Sequence, residues 1–353
     1  MVVRAMIARA MIEITRKTTV LDGVAPGRIP LAQLLEAGQP AILKGVARNW
    51  PLVRRGLEST GQAMAYLKSF ANRKPVLVYT GPPEIKGRFF YNADFSGLNF
   101  ATERAPLGDI LDRLSVQGDA VPTPSIYVGS TDLDSYLPGL RAENDLTLNN
   151  AMFQHQQPVV SIWIGNRTVA SAHYDQYNNL ACCMVGRRRF SLFPPEQIGN
   201  LYPGPLEPTP GGQVVSMVDF SAPDVGRYPG FRAALAAGQV AELEPGDALF
   251  YPALWWHHVE ALDSFNAMIN YWWTTTPEFM DSPQTTLLHA LMSLRDRSGQ
   301  EKQAWQALFD YYVFGAADRA GQHLPVQVRG NLGPMDEGKA RRLRALLISR
   351  LNR

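Results

Sequence analysis

Between about Ser125 and Thr275 the chain sets short apolar runs between Gly, Pro, Asn and Asp. SIYVGS, VVSIWIGN, NNLACCMVG, RRFSLFPP, DALFYP, WWHHVEAL and AMINYWW follow one another in this way. Many short strands punctuated by turn residues predict an antiparallel sandwich or barrel. Within it, Pro203–Gln239 is rich in Pro and Gly and reads as a long excursion between strands, functional or variable rather than core. Upstream, Pro40–Gly45 (PAILKG) and Pro75–Gly81 (PVLVYTG) read as strands, whereas Gln62–Ala71 and Leu107–Leu114 carry apolar residues at helical spacing. Beyond Pro277 the period is helical again, at 287–294, 305–312 and 343–351. The last of these puts Leu343, Leu346, Leu347 and Leu351 on one face and arginines on the other. The expected organisation is an N-terminal α/β layer (1–120), a β-barrel (121–276) and a C-terminal helical region (277–353).

Composition narrows the class. With 353 residues, 46% apolar and 19% charged, the chain can bury a sizeable core. A formal net charge of +2 gives no field that points to nucleic acid or an anionic membrane as the main partner. No stretch approaches the ~18 uninterrupted apolar residues of a membrane span. The amino terminus is interrupted by Arg4, Arg9 and Glu13 and lacks the apolar run of a secretory signal, so the expected start is Met1, Met6 or Met11. The adjacent Cys182 and Cys183 point to opposite faces of an extended chain. They exclude a disulfide scaffold and suit a reducing cytoplasm.

The placement of the histidines carries the chemistry. His173-Tyr174-Asp175 follows the strand VVSIWIGN, and in an extended chain residues i and i+2 aim at one point. His257-His258 lies far downstream in another strand. Two imidazoles and a carboxylate are the ligand set of a mononuclear non-haem Fe(II) site, which leaves other positions open. Strand parity groups His257 with Val259 and Ala261 on the apolar, inward face, and His258 with Glu260 on the polar one. An inward histidine is held either by a metal or by a backbone carbonyl.

Parity along a strand running from Leu180 to Phe193 groups Arg188 with Leu180, Cys182, Met184, Gly186, Phe190 and Leu192. A guanidinium there is a buried charge suited to grip a carboxylate in two contacts. Alternatively Gly186 bends the strand and turns Arg188 outward with Arg187 and Arg189. Asn179, Asn270 and Trp272 add amides and an aromatic around the same strands.

HYDQYNNLACCMVGRRRFSLFPPEQIGNLYP, followed by EPGDALFYPALWWHHVEAL and INYWW, resembles the JmjC-type cupin family of Fe(II)/2-oxoglutarate oxygenases. It is most similar to the branch containing the asparaginyl hydroxylase that inhibits the hypoxia-inducible factor. PAILKGVARNWP resembles the segment that opens such proteins, and the likeness covers roughly Pro40–Trp273. The implied fold is mainly β with α: a double-stranded β-helix (jelly-roll or cupin barrel) with N-terminal α/β additions and C-terminal helices. The resemblance implies that His173, Asp175 and His257 are the iron ligands. Arg188 stands where the family has a lysine for the distal carboxylate of 2-oxoglutarate. Asn179 and Asn270 match amides near the metal-bound end, with Trp272 beside them, and Tyr127 matches a tyrosine on the distal carboxylate. A threonine that helps there is replaced: the nearest position reads Ala170, with Thr168 two places earlier.

The implied cofactors are Fe(II), 2-oxoglutarate and O2. The implied outcome is hydroxylation of a C–H bond, with succinate and carbon dioxide as co-products. A protein or peptide side chain is the first substrate class, a tRNA base or small molecule the alternative, and the helical end implies a homodimer. Two readings compete. One is a non-catalytic cupin that binds or scaffolds, against which the intact triad argues. The other is a cupin using another divalent metal for isomerase or hydrolytic work, which would not need Arg188.

Overall fold

The computed structural model describes residues 13–118, 122–148, 150–154 and 156–352; the candidate starts Met1, Met6 and Met11 lie outside the described residues. The chain divides into two compact units, one ending at Thr274 and one beginning at Thr275.

In the first unit the strands are β1 (Thr19–Leu21), β2 (Ala41–Leu43), β3 (Pro75–Gly81), β4 (Arg88–Phe89), β5 (Ala101–Pro106), β6 (Ser125–Asp132) and β7 (Val159–Gly165). They continue as β8 (Val169–Tyr174), β9 (Asn178–Val185), β10 (Arg188–Phe193), β11 (Gln239–Leu243), β12 (Ala248–Tyr251), β13 (Trp256–Ala261) and β14 (Asn266–Trp273). One sheet has the order β1-β2-β12-β9-β14-β7-β6-β3-β5, the other β11-β10-β13-β8-β4. Only β1–β2 and β4–β8 are parallel among these pairs. From β7 to β10 each strand changes sheet, and so do β12, β13 and β14. This gives β7, β14, β9 and β12 on one side and β8, β13, β10 and β11 on the other. That alternation is a jelly roll built as two facing sheets rather than one closed ring.

The corners follow from backbone chemistry. Gly186 has φ 70°, and a Cβ there would lie 2.3 Å from Asn266 Oδ1 and 2.6 Å from the Phe265 carbonyl oxygen. The chain therefore turns from one sheet into the other at this point, and the single strand expected from Leu180 to Phe193 is two strands. The turn also reverses parity. Leu180, Cys182 and Met184 pack into the core outside the larger sheet, while Ala181, Cys183, Phe190 and Leu192 pack between the sheets. Before β12, Asp247 fixes the Pro245-Gly246-Asp247 corner by accepting from Gly45 N and Glu244 N and pairing with Lys44 Nζ.

The larger sheet rests on helices Leu31–Ala37, Pro51–Glu58, Thr60–Phe70 and Leu107–Gln117. Leu31, Leu52, Leu67, Leu107 and Ile110 from these helices are essentially fully buried. Each such side chain contributes about 1.5–3 kcal/mol. The excursion after β10 corrects its reading as non-core. It contains the helix Phe231–Ala237 and buries Val218, Phe231 and Leu235 with Leu201, Phe193, Ala172 and Trp256 over the outer face of the smaller sheet. His258 is accordingly not on a wetted face: it is buried, stacked on Phe220 with centroids 4.3 Å apart.

The second unit holds helices Pro283–Ser293, Gly299–Tyr312 and Glu337–Leu351, none of which buries a residue. Ser298 and Glu301 cap the middle helix reciprocally. No helix among the described residues is long and apolar enough to cross a membrane.

Candidate metal centre

β8 and β13 lie side by side, and their register sets His173 directly opposite His257. Asp175 follows two residues after His173 at the end of β8, where its backbone carbonyl accepts from Leu254 N at 2.8 Å and ties that end to the approach to β13. One ligand atom from each of His173, Asp175 and His257 falls within 4.8 Å of the others. Asp175 Oδ2 is 3.5 Å from His257 Nε2. His173 Nδ1 lies 2.8 Å from the Ser171 carbonyl and His257 Nδ1 lies 3.0 Å from the Trp255 carbonyl. Each ring is thus anchored through Nδ1 to the backbone two residues earlier, the orientation that leaves Nε2 for a metal. Burial, then the neighbouring His257, pushes His173 down to about 4. Burial raises the Asp175 carboxyl, but the neighbouring His257, then His173, outweigh that and hold it below the usual carboxylate range. At neutral pH His173 is therefore a neutral imidazole and Asp175 a carboxylate.

The triad opens into a cavity of about 350 Å³ between the sheets. Arg188, Asn179, Asn270, Tyr127 and Trp272, each singled out by sequence, all line it, as do Thr168 and Ala170. Arg188 is 3% exposed, and its Nε and Nη2 have no partner. The turn at Gly186, expected as the device that would push Arg188 outward, instead delivers it inward. Its neighbours leave: Arg187 forks Asp263 and Arg189 pairs with Glu242 at the surface. Arg188 pairs in register with Ala261, four residues along β13 from His257, or about 13 Å at ~3.3 Å per residue. The two backbones are thus well separated along a cavity that the Arg188 and triad side chains all line. Burial lowers the Arg188 pKa, and the Tyr127 hydroxyl and Cys183 thiol are the neighbours that oppose this. Tyr127 stacks on Phe89 at 5.8 Å.

Asn270 Oδ1 accepts from Trp163 Nε1 at 2.7 Å, and Asn179 Nδ2 donates to Tyr251 Oη at 2.6 Å. Trp163 and Tyr251 both line the cavity and were not singled out by sequence. Their parity was the available signal: Tyr251 alternates with Leu249 into the inter-sheet space.

A profile for the cupin-like domain matches residues 26–279. The chain is 33% identical over 129 residues to lysine-specific demethylase JMJ31 of Arabidopsis thaliana, covering 35% of this chain and 23% of that protein. It is 39% identical over 114 residues to HSPB1-associated protein 1 of Homo sapiens, covering 32% and 23%. It is 27% identical over 248 residues to Jumonji C domain-containing protein 5 of Drosophila melanogaster, covering 67% and 55%. The chain spans about a quarter to about half the length of these relatives. The matches support the JmjC-type likeness without specifying the asparaginyl-hydroxylase branch.

Proposed function

The chain belongs to the cupin-like domain family, and from that membership we propose that it is an Fe(II)- and 2-oxoglutarate-dependent oxygenase acting on a C–H bond of a protein side chain. The observation that carries this reading is Arg188: a buried, unpaired guanidinium lining the same cavity as a His-Asp-His triad. An isolated buried cation costs several kcal/mol, and a dianion spanning the cavity offsets it at the same moment as it meets the metal.

His173, Asp175 and His257 would hold Fe(II), because their free Nε2 atoms and carboxylate suit that ion. Fe(II) bound there, with 2-oxoglutarate and O2 as co-substrates, would supply the chemistry that hydroxylates the substrate, one oxygen atom of O2 going to the product and the other to succinate, with carbon dioxide released. The chain's part is positioning. Arg188 fixes the distal carboxylate in two contacts, with Tyr127 beside it. Asn179 and Asn270 present amides that do not compete for the metal. Phe89, Tyr127, Trp163 and Trp272 wall the cavity and restrict water.

The test is direct. Anaerobic Fe(II) with 2-oxoglutarate is expected to give a weak visible charge-transfer band; its absence, together with no thermal shift on adding 2-oxoglutarate, removes the oxygenase reading. A peptide library followed by mass spectrometry separates hydroxylation, a gain of one oxygen, from demethylation, a loss of one methylene. The names of relatives such as lysine-specific demethylase 8 of Xenopus tropicalis favour keeping demethylation as the second reading.

We further propose that the C-terminal helices pair two copies of the chain. Leu346, Leu347 and Leu351 of Glu337–Leu351 are 44%, 43% and 52% exposed. Leucines clustered on one helix face are costly to leave in water.

A further inference from the structure

A chain of four side chains crosses the cavity wall, one from each of the neighbouring strands β7, β14, β9 and β12. Trp163 Nε1 donates to Asn270 Oδ1 at 2.7 Å, Asn270 Nδ2 donates to Asn179 Oδ1 at 3.4 Å, and Asn179 Nδ2 donates to Tyr251 Oη at 2.6 Å. The direction of this relay is dictated from its first member. An indole N–H can only donate, so Asn270 must turn its oxygen to Trp163 and its amide nitrogen to Asn179. Asn179 must then accept with its oxygen and donate with its nitrogen. Tyr251 is left only the acceptor role within the protein.

A hydroxyl carries one proton, and that of Tyr251 is not used by this chain. The residue is 3% exposed, its ring lies 4.6 Å from the His257 ring, and it lines the cavity. Trp272 Nε1 and two nitrogens of Arg188 are further donors around the same space without partners. The lining is thus rich in donors, and Asp175, its one carboxylate, belongs to the triad. Such a surface selects a ligand that is mostly acceptor, an anion with several oxygens.

From this geometry we propose that Tyr251 is a ligand-binding residue: its hydroxyl proton, freed by a relay that Trp163 orients, is donated to a carboxylate or keto oxygen of the acid held between the triad and Arg188. The assignment rests on the 2-oxoglutarate reading given above and adds a residue to it.

The experiment is calorimetric titration of 2-oxoglutarate into the Mn(II)-loaded wild-type protein, Tyr251→Phe, Trp163→Phe and the double variant, with melting curves confirming that each is folded. Tyr251→Phe removes one oxygen and keeps the ring. It is expected to weaken 2-oxoglutarate roughly tenfold to a hundredfold, the range for a hydrogen bond to a charged acceptor. With Trp163 replaced, the amides are free to turn and Tyr251 can donate to Asn179 instead, so the same change should then cost less than threefold. That non-additivity is what mere packing would not produce. Unchanged affinity in Tyr251→Phe, or two strictly additive effects, overturns the assignment while leaving 2-oxoglutarate binding intact. A wild-type protein that takes no 2-oxoglutarate brings down both this inference and the reading beneath it.

Discussion

His173 and His257 face each other across the β8–β13 ladder with ring centroids 4.2 Å apart, each pinned through Nδ1 to the carbonyl two residues earlier in the chain. The rings are oriented by the backbone before any ion arrives, so the site is preorganised rather than gathered by the metal. His257→Ala is expected to lower Fe(II) affinity by on the order of a hundredfold or more, beyond the 10–100-fold loss typical of outer partners. The anaerobic charge-transfer band should vanish with it. A band of wild-type intensity would show that His257 is not a ligand.

Arg188 is expected to separate binding from stability. Arg188→Met should abolish 2-oxoglutarate binding and, in the same protein without ligand, raise the melting temperature, because a buried cation without a partner is replaced by an apolar chain of similar length. Arg188→Lys should keep part of the affinity as a point charge without the fork. A fall in melting temperature for Arg188→Met would mean that the guanidinium is already compensated.

The metal-free protein should lose stability as pH falls. Burial, then the charge of Arg88, pushes His258 down to about 3, against an ordinary value of 6.5. Between those two values the unfolded chain binds a proton that the folded chain refuses. Stability is therefore retained above about pH 6.5 and declines as pH drops toward 3, by up to about 1.4 kcal/mol per pH unit for this group. His173, at about 4, acts in the same direction over the upper part of that window. Melting curves from pH 7.5 downward in chelator check this, and His258→Leu should flatten the slope without removing it.

The triad was legible because its information is local. A two-residue offset within a strand brings His173 and Asp175 to one side, and parity puts His257 with Val259 and Ala261 inside, whatever the rest of the chain does. Arg188 was placed inside by parity along one strand, yet it gets there by the opposite route: the chain turns at Gly186 and reverses its faces. β8 was hidden because VASAHY mixes small and polar residues where an apolar run was sought. His258 read as polar because its cover, Phe220, arrives from an excursion whose Pro and Gly suggested a loop. The relay from Trp163 to Tyr251 joins strands distant in sequence, and no local pattern reports it.

The corner itself can be tested. Gly186→Ala places a methyl at 2.3 Å from Asn266 Oδ1 and demands a left-handed backbone of an L-residue. The expected loss exceeds about 1–2 kcal/mol in urea unfolding. Arg187→Ala next door removes only a surface fork on Asp263 and should cost no more than about 1 kcal/mol.

Light scattering checks the pairing of copies. Wild-type protein is expected at the mass of a dimer, and Leu346→Glu with Leu347→Glu at that of a monomer with its 2-oxoglutarate affinity retained. Monomeric wild-type protein rules the pairing out.

Two histidines in a row give β13 an ambiguity that a metal by itself would not resolve. Were β13 to slide by one position against β8, His258 would take the place of His257 opposite His173, and an ion would still meet two imidazoles. Proofreading of the ladder therefore falls to residues with no part in catalysis. The slid arrangement would drive the Glu260 carboxylate in among Phe190 and Met268 and expel Val259. A glutamate at the strand's far end would thus guard which of two identical side chains faces His173.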